Sequence, residues 1–181
     1  MTQSVFELTT EALSERVREL QVGDRVYLTG TVYTARDAAH KRIFALLDAG
    51  QEPPFPIRGS IVYYAGPTPA KNGMAVGSCG PTTSSRMDGF APRLLDMGQL
   101  AQIGKGDRSP AVIEAIRRNG AVYLCAVGGA GALIARSITA AEEIAFPELG
   151  CESVKRLRVE RLPLIVGIDS RGQSIFERET T

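Results

Sequence analysis

Two short apolar runs constrain this chain most. "IVYYA" at residues 61–65 and "AVYLCAV" at residues 121–127 contain no charged residue, and each ends at a glycine. Runs of that length between turn residues are too short for a core helix and read as strands buried in the interior. Between them lies a helix with clear ends: Ser109 as N-cap, Pro110 at the first helical position and Gly120 just past the last one. A buried strand, a capped helix and a second buried strand point to an α/β or mixed fold rather than an all-helical or all-strand one.

The remaining segments extend that alternation. From Thr10 to Leu20, Leu13, Val17 and Leu20 recur at helical spacing. "DRVYLTGTVYT" from Asp24 to Thr34 alternates polar with strand-favouring residues. A helix follows with Asp37 as its cap, Ala39, Ile43, Leu46 and Leu47 on one face, and Gly50 as its stop. "QEPPFP" from Gln51 to Pro56 is a proline-stiffened loop. A short helix is expected after Gly131, and the segment from Val154 to Phe176 reads as two strands joined across Asp169–Gly172. No repeat or linker interrupts the chain, so one domain over residues 1–181 is expected.

Charge narrows the choice of partner. Lysine and arginine total 21 against 20 acidic residues, a formal charge of +1. No global field is present to attract a phosphate polymer or an anionic bilayer, so neither nucleic acid nor membrane is the expected partner. The longest apolar run, "AVYLCAVGGAGALIA", is broken by glycines, and the acid-containing start does not resemble a secretory signal, which makes the cytoplasm the expected location. Cys79, Cys125 and Cys151 are far apart without a C-x-x-C pair, so they read as reduced structural residues and no metal site is expected in this chain.

Three segments carry candidate chemistry. "GPTTSSRMDGF" from Gly80 to Phe90 places Thr82, Thr83, Ser84 and Ser85 ahead of Arg86. One reading is a turn capping a following helix through Ser84 or Ser85. The other is an anion pocket, in which hydroxyls and backbone N–H groups join the planar fork of Arg86. "TARDAAHKR" puts Arg36 where a strand hands over to a helix, a common ligand position in α/β proteins, with His40, the single histidine, one turn further on. "IGKGDRSP" places Lys105 between two glycines immediately before the capped helix. Neither this segment nor "GGAGA" at residues 128–132 matches a nucleotide-binding fingerprint. Two arginines, a lysine and clustered hydroxyls in a neutral chain suit a small polyanion such as a dicarboxylate.

Taken together, "GTVYTARDAAHKR", "GPTTSSRMD", "IGKG" and "GGAGAL", in this order and continuing into "IAFPELGCESVKRLRVERLPLIVGIDSRG", resemble the β subunit of class I fumarases and L(+)-tartrate dehydratases. The resemblance implies a swivelling β/β/α domain, three-layer with a mixed sheet, and a hydro-lyase acting on a four-carbon dicarboxylate, fumarate or malate first and tartrate or oxaloacetate next. It implies a [4Fe-4S] cluster held by a partner α subunit and a higher-order hetero-oligomer. By motif, Arg36, Arg86 and Lys105 would bind substrate carboxylates. Thr82 would transfer the proton, Thr83 would donate a hydrogen bond and His40 would play a supporting role. A threonine hydroxyl is a weak base, so a neighbouring cation, a partner carboxylate or the cluster's field would have to activate it. The competing expectation is a dicarboxylate-binding module without chemistry.

Overall fold

A computed structural model describes residues 2–127 and 129–177. Strand β1 (Val5–Thr9) leads directly into helix α1 (Thr10–Arg16), where the Thr9 side chain caps the Ala12 N–H at 3.1 Å. The helix expected through Leu20 tightens into a 3₁₀ turn at Val17–Glu19. Strand β2 (Arg25–Thr34) and helix α2 (Asp37–Asp48) follow. The cap of α2 is Arg36 and not Asp37, which is instead the first helical residue, and Arg36 makes no side-chain capping bond.

The first apolar run forms β3 (Ile61–Tyr63). A 3₁₀ turn at Ser84–Met87 and helix α3 (Ala91–Asp96) precede β4 (Ala101–Gly104). Helix α4 (Pro110–Asn119) has the expected ends: Ser109 caps it, and Gly120 leaves it at φ 62°, a left-handed conformation that glycine adopts without a Cβ clash. Strand β5 (Val122–Cys125), helix α5 (Gly131–Ala135), β6 (Ile138–Ala145) and β7 (Val154–Ile168) complete the order. The expected second C-terminal strand is reduced to one bridge, Ile168 with Ser174, beyond the Asp169–Gly172 turn.

The sheet is mixed. Strands β1 and β3 lie parallel to β2, β4 lies parallel to β3, and β5 lies parallel to β4. Strand β7 runs antiparallel to β2, β5 and β6. Because β7 bonds both β5 and β2, the strands β2, β3, β4, β5 and β7 form a closed circuit. A bulge sets Glu160 and Arg161 of β7 opposite Thr29, with Arg161 at φ 49° and its N–H bonded to the Thr29 hydroxyl.

Strand alternation assigns the layers. Val26, Leu28 and Val32 of β2, Ile61 and Tyr63 of β3, Ile103 of β4, and Val122 and Leu124 of β5 pack against Leu157, Val159, Leu162 and Leu164 of β7. The intervening side chains face the helices. Val62 and Tyr64 meet Ala39 and Ile43 of α2 and Leu94 of α3, while Tyr123 meets Ala91 of α3 and Val112 and Ile116 of α4. The parallel strands are thus covered on one face by β7 and on the other by helices, giving β/β/α layers. This explains why β3 and β5 read as continuous apolar runs. Each large apolar side chain buried this way contributes about 1.5–3 kcal/mol.

Candidate active site

Parallel pairing brings the C-terminal ends of β2, β3 and β4 to one edge of the sheet. The candidate residues gather there. Arg36 lies two residues beyond β2, and Lys105 one residue beyond β4. The hydroxyl run returns to the same edge. The Thr82 N–H donates to the Tyr64 carbonyl at 2.7 Å, Thr83 forms a parallel bridge with Lys105, and the Ser84 N–H donates to the Lys105 carbonyl at 2.9 Å. Residues 82–84 therefore extend the pairing of β3 and β4 past their ends.

The four hydroxyl residues have different surroundings. Thr82 is half-buried, while Thr83 and Ser85 are exposed. Ser84 is fully buried, and its Oγ lies 2.9 Å from the Tyr123 hydroxyl. It occupies the space where a Cβ on Gly104 would sit, 1.9 Å from that ideal position, so β4 must end in glycine for the hydroxyl run to dock. The expected N-cap role for Ser84 or Ser85 is not observed. Both lie inside the 3₁₀ turn, whose cap is Thr83 and which has no side-chain capping bond; the Ser84 N–H pairs with the Lys105 carbonyl and its Oγ with the Tyr123 hydroxyl instead.

The cations are held individually. Arg86 Nη2 lies 2.6 Å from Asp37 Oδ2, and its side chain is half exposed. Asp37 thus clamps the cation of the 3₁₀ turn to the start of α2. Arg36 lies against Gly66, where a Cβ would come within 3.0 Å of Nη1. Its Nε is 3.8 Å from Glu152 Oε1, and neither buried atom has a hydrogen-bond partner. Lys105 is exposed. His40 is buried one turn into α2, with Nδ1 2.8 Å from the Arg36 carbonyl and its ring stacked on Phe90. Burial pushes its pKa down to about 4, outweighing the Arg36 carbonyl bond and Asp37, which pull it up. At neutral pH, then, the imidazole is uncharged and Nδ1–H donates to Arg36. His40 supports the backbone that carries Arg36.

Sequence reading missed the layer beneath these groups. The Arg108 side chain has no exposure. Its Nε lies 2.7 Å from Asp88 Oδ1 and its Nη1 2.7 Å from Gln102 Oε1, and its guanidinium sits between the Tyr64 and Tyr123 rings. Asp88 Oδ2 also accepts the Ser109 N–H at 2.6 Å. The available signal was the acid within "RMD", three residues after Ser85. Asp37 and Glu152, the neighbours of the two arginines, were also missed.

Among the described residues, no three of His, Cys, Asp and Glu converge as a metal site. Burial pushes the thiol of Cys79 up to about 12 and that of Cys125 up to about 11, the opposite of what a thiolate ligand requires. These residues do not fit an iron-sulfur cluster. No helix among the described residues is long and apolar enough to cross a membrane.

Fold and edge together define a three-layer β/β/α domain with hydroxyls and cations at the ends of its parallel strands. The chain belongs to the family described as fumarase C-terminus, whose model matches residues 2–179. It is 38% identical over 165 residues to "Fumarate hydratase class I, anaerobic" of Escherichia coli and 36% identical over 170 residues to "Fumarate hydratase 2" of Leishmania major. These alignments cover 90% and 93% of this chain but 30% of each relative, so the chain spans about a third of the length of those proteins. It is 35% identical over 174 residues to "L(+)-tartrate dehydratase subunit beta" of Escherichia coli, covering 93% of this chain and 85% of that one.

Proposed function

We propose that this chain, as one domain over residues 1–181, is the β subunit of a cytoplasmic hydro-lyase that reversibly hydrates a four-carbon dicarboxylate, fumarate or malate in the first instance. The observation that carries this reading is the gathering of Arg36, Thr82, Thr83, Arg86 and Lys105 at one sheet edge by backbone pairing. The family and the names of its relatives support the reaction class.

Each residue has a distinct task in this reading. Arg36 and Arg86 present planar forks suited to carboxylates, and Lys105 adds a compact charge. Arg86 is held by Asp37 and exchanges that carboxylate for one of the substrate's, so the guanidinium is oriented before substrate arrives. Thr82 carries the proton at Oγ1, and Thr83 donates to a substrate oxygen. Lys105, bridged to Thr83, places a cation beside the run, where it stabilises negative charge on an oxygen during proton transfer. His40, neutral and bonded to the Arg36 carbonyl, fixes the start of α2. The [4Fe-4S] cluster that would supply Lewis-acid chemistry belongs in this reading to a partner α subunit, since the residues here do not fit it. The partnership forms a higher-order hetero-oligomer.

The test compares this chain alone with the chain assembled anaerobically with an α-type subunit, following fumarate hydration and tartrate dehydration by absorbance. Turnover is expected only in the assembled form, and Thr82→Ala should lower it by orders of magnitude without preventing assembly. Wild-type turnover by the assembled Thr82→Ala variant, or enzymatic turnover by the iron-free chain alone, would overturn the reading. Tight malate binding by the lone chain, unchanged by any partner, would instead favour a binding module without chemistry.

A further inference from the structure

Two substrate-facing segments, the hydroxyl run ending at Arg86 and the Lys105 loop, are joined under the surface by side chains that no substrate can reach. Tyr123, fully buried on β5, places its hydroxyl 2.9 Å from Ser84 Oγ and 2.9 Å from the Gly106 carbonyl. A carbonyl only accepts, so the single phenol proton goes to Gly106 and the Ser84 hydroxyl supplies the other bond. One oxygen therefore ties the middle of the hydroxyl run to the residue after Lys105. Burial pushes the Tyr123 pKa up, keeping that proton in place.

The joint leaves little slack. The Ser84 side chain fills the position that a Cβ on Gly104 would take, and the Ser84 N–H holds the Lys105 carbonyl at 2.9 Å. Further along, Asp88 bonds Arg108 and the Ser109 N–H, closing the far end of the same loop. The Lys105 carbonyl is thus held by the first residue of the 3₁₀ turn, and the loop beyond it by Asp88 just past the turn's end, while the Lys105 side chain stays exposed.

We infer that Tyr123 is a positioning residue for the reaction: through Ser84 and Gly106 its hydroxyl holds Lys105 in register with Thr82 and Thr83. This rests on the function proposed above. Losing the phenol oxygen removes one bond to each segment and leaves Ser84 Oγ and the Gly106 carbonyl without that buried partner. A net hydrogen bond of about 1.4 kcal/mol, felt in the transition state, corresponds to about a tenfold loss of kcat.

The experiment uses the assembled enzyme with Tyr123→Phe, Ser84→Ala and the double variant, alongside Thr82→Ala. Assembly is followed by size-exclusion chromatography, and kcat and KM are measured well below the melting temperature. Tyr123→Phe and Ser84→Ala are each expected to assemble and to lose about tenfold in kcat. The double variant should lose no more than the worse single, because both changes break the same link. If Tyr123→Phe does not assemble, Ser84→Ala decides alone. Wild-type kcat and KM in these variants, with only a lower melting temperature, would overturn the inference and leave Tyr123 as a core residue, as would losses that multiply in the double variant. If Thr82→Ala is inactive while the Tyr123 and Ser84 variants are normal, only this inference fails. If Thr82→Ala itself keeps wild-type turnover, the functional reading beneath it fails.

Discussion

His40 allows the burial of the site's foundation to be measured as a pH dependence. The imidazole is 1% exposed and packed between Phe90 and the edge of Tyr64, and its pKa falls from 6.5 to about 4. Desolvation is the main cause, and Arg108 adds a smaller push in the same direction. A group whose folded pKa is depressed contributes stability that is present above its unfolded pKa and lost as pH falls toward the folded one. Between pH 7.5 and 4.5 the unfolded chain takes up nearly a full proton at this site and the folded chain little. The loss works out at about 2–3 kcal/mol. Other carboxylates titrate in the same window, so the measurement is a difference: urea denaturation of the wild type and of His40→Gln at both pH values. The wild type is expected to lose about 2–3 kcal/mol more than the variant over that interval. Equal losses would show that His40 is not buried and neutral, and would remove it as the support beneath Arg36.

Two further substitutions probe the packing under the hydroxyl run. Gly104→Ala puts a Cβ into the Ser84 hydroxyl and should cost about 1–3 kcal/mol by overpacking. Adding Ser84→Ala should recover part of that cost in denaturant melts, whereas a neutral Gly104→Ala would contradict the close contact. Asp88→Ala strands the wholly buried Arg108 charge and should cost about 3–5 kcal/mol in the same assay. A change under 1 kcal/mol would mean that Asp88 does not hold Arg108.

What the sequence revealed was local, and what it hid was decided by tertiary contact. Helix α4 was readable because its stop and start signals, Ser109, Pro110 and Gly120, act within the segment itself. Strands β3 and β5 were readable because burial on both faces leaves no polar position. Strand β6, "ITAAEEIA", was not, since alanine and glutamate favour helix. Its extended form comes from pairing with β7, where Glu142 sits opposite Arg156 and the two form an ion pair. Strand β1 is a five-residue edge strand, and β4 carries the polar Gln102, which is tolerated inside because Gln99 and Arg108 bond it. At the site, family motifs singled out the residues along the strand ends, together with the buried His40. The supporting links, Arg86 to Asp37 across 49 residues and Tyr123 to Ser84 across 39, leave no local pattern to read.

The most direct measurement is a crystal structure of the assembled enzyme holding a four-carbon diacid that cannot react. Its carboxylates are expected within hydrogen-bond distance of Arg36, Arg86 and Lys105, with Thr82 Oγ1 facing the carbon between them that exchanges a proton. A diacid bound elsewhere, with Arg86 still on Asp37 and Thr82 facing only solvent or protein, would contradict it.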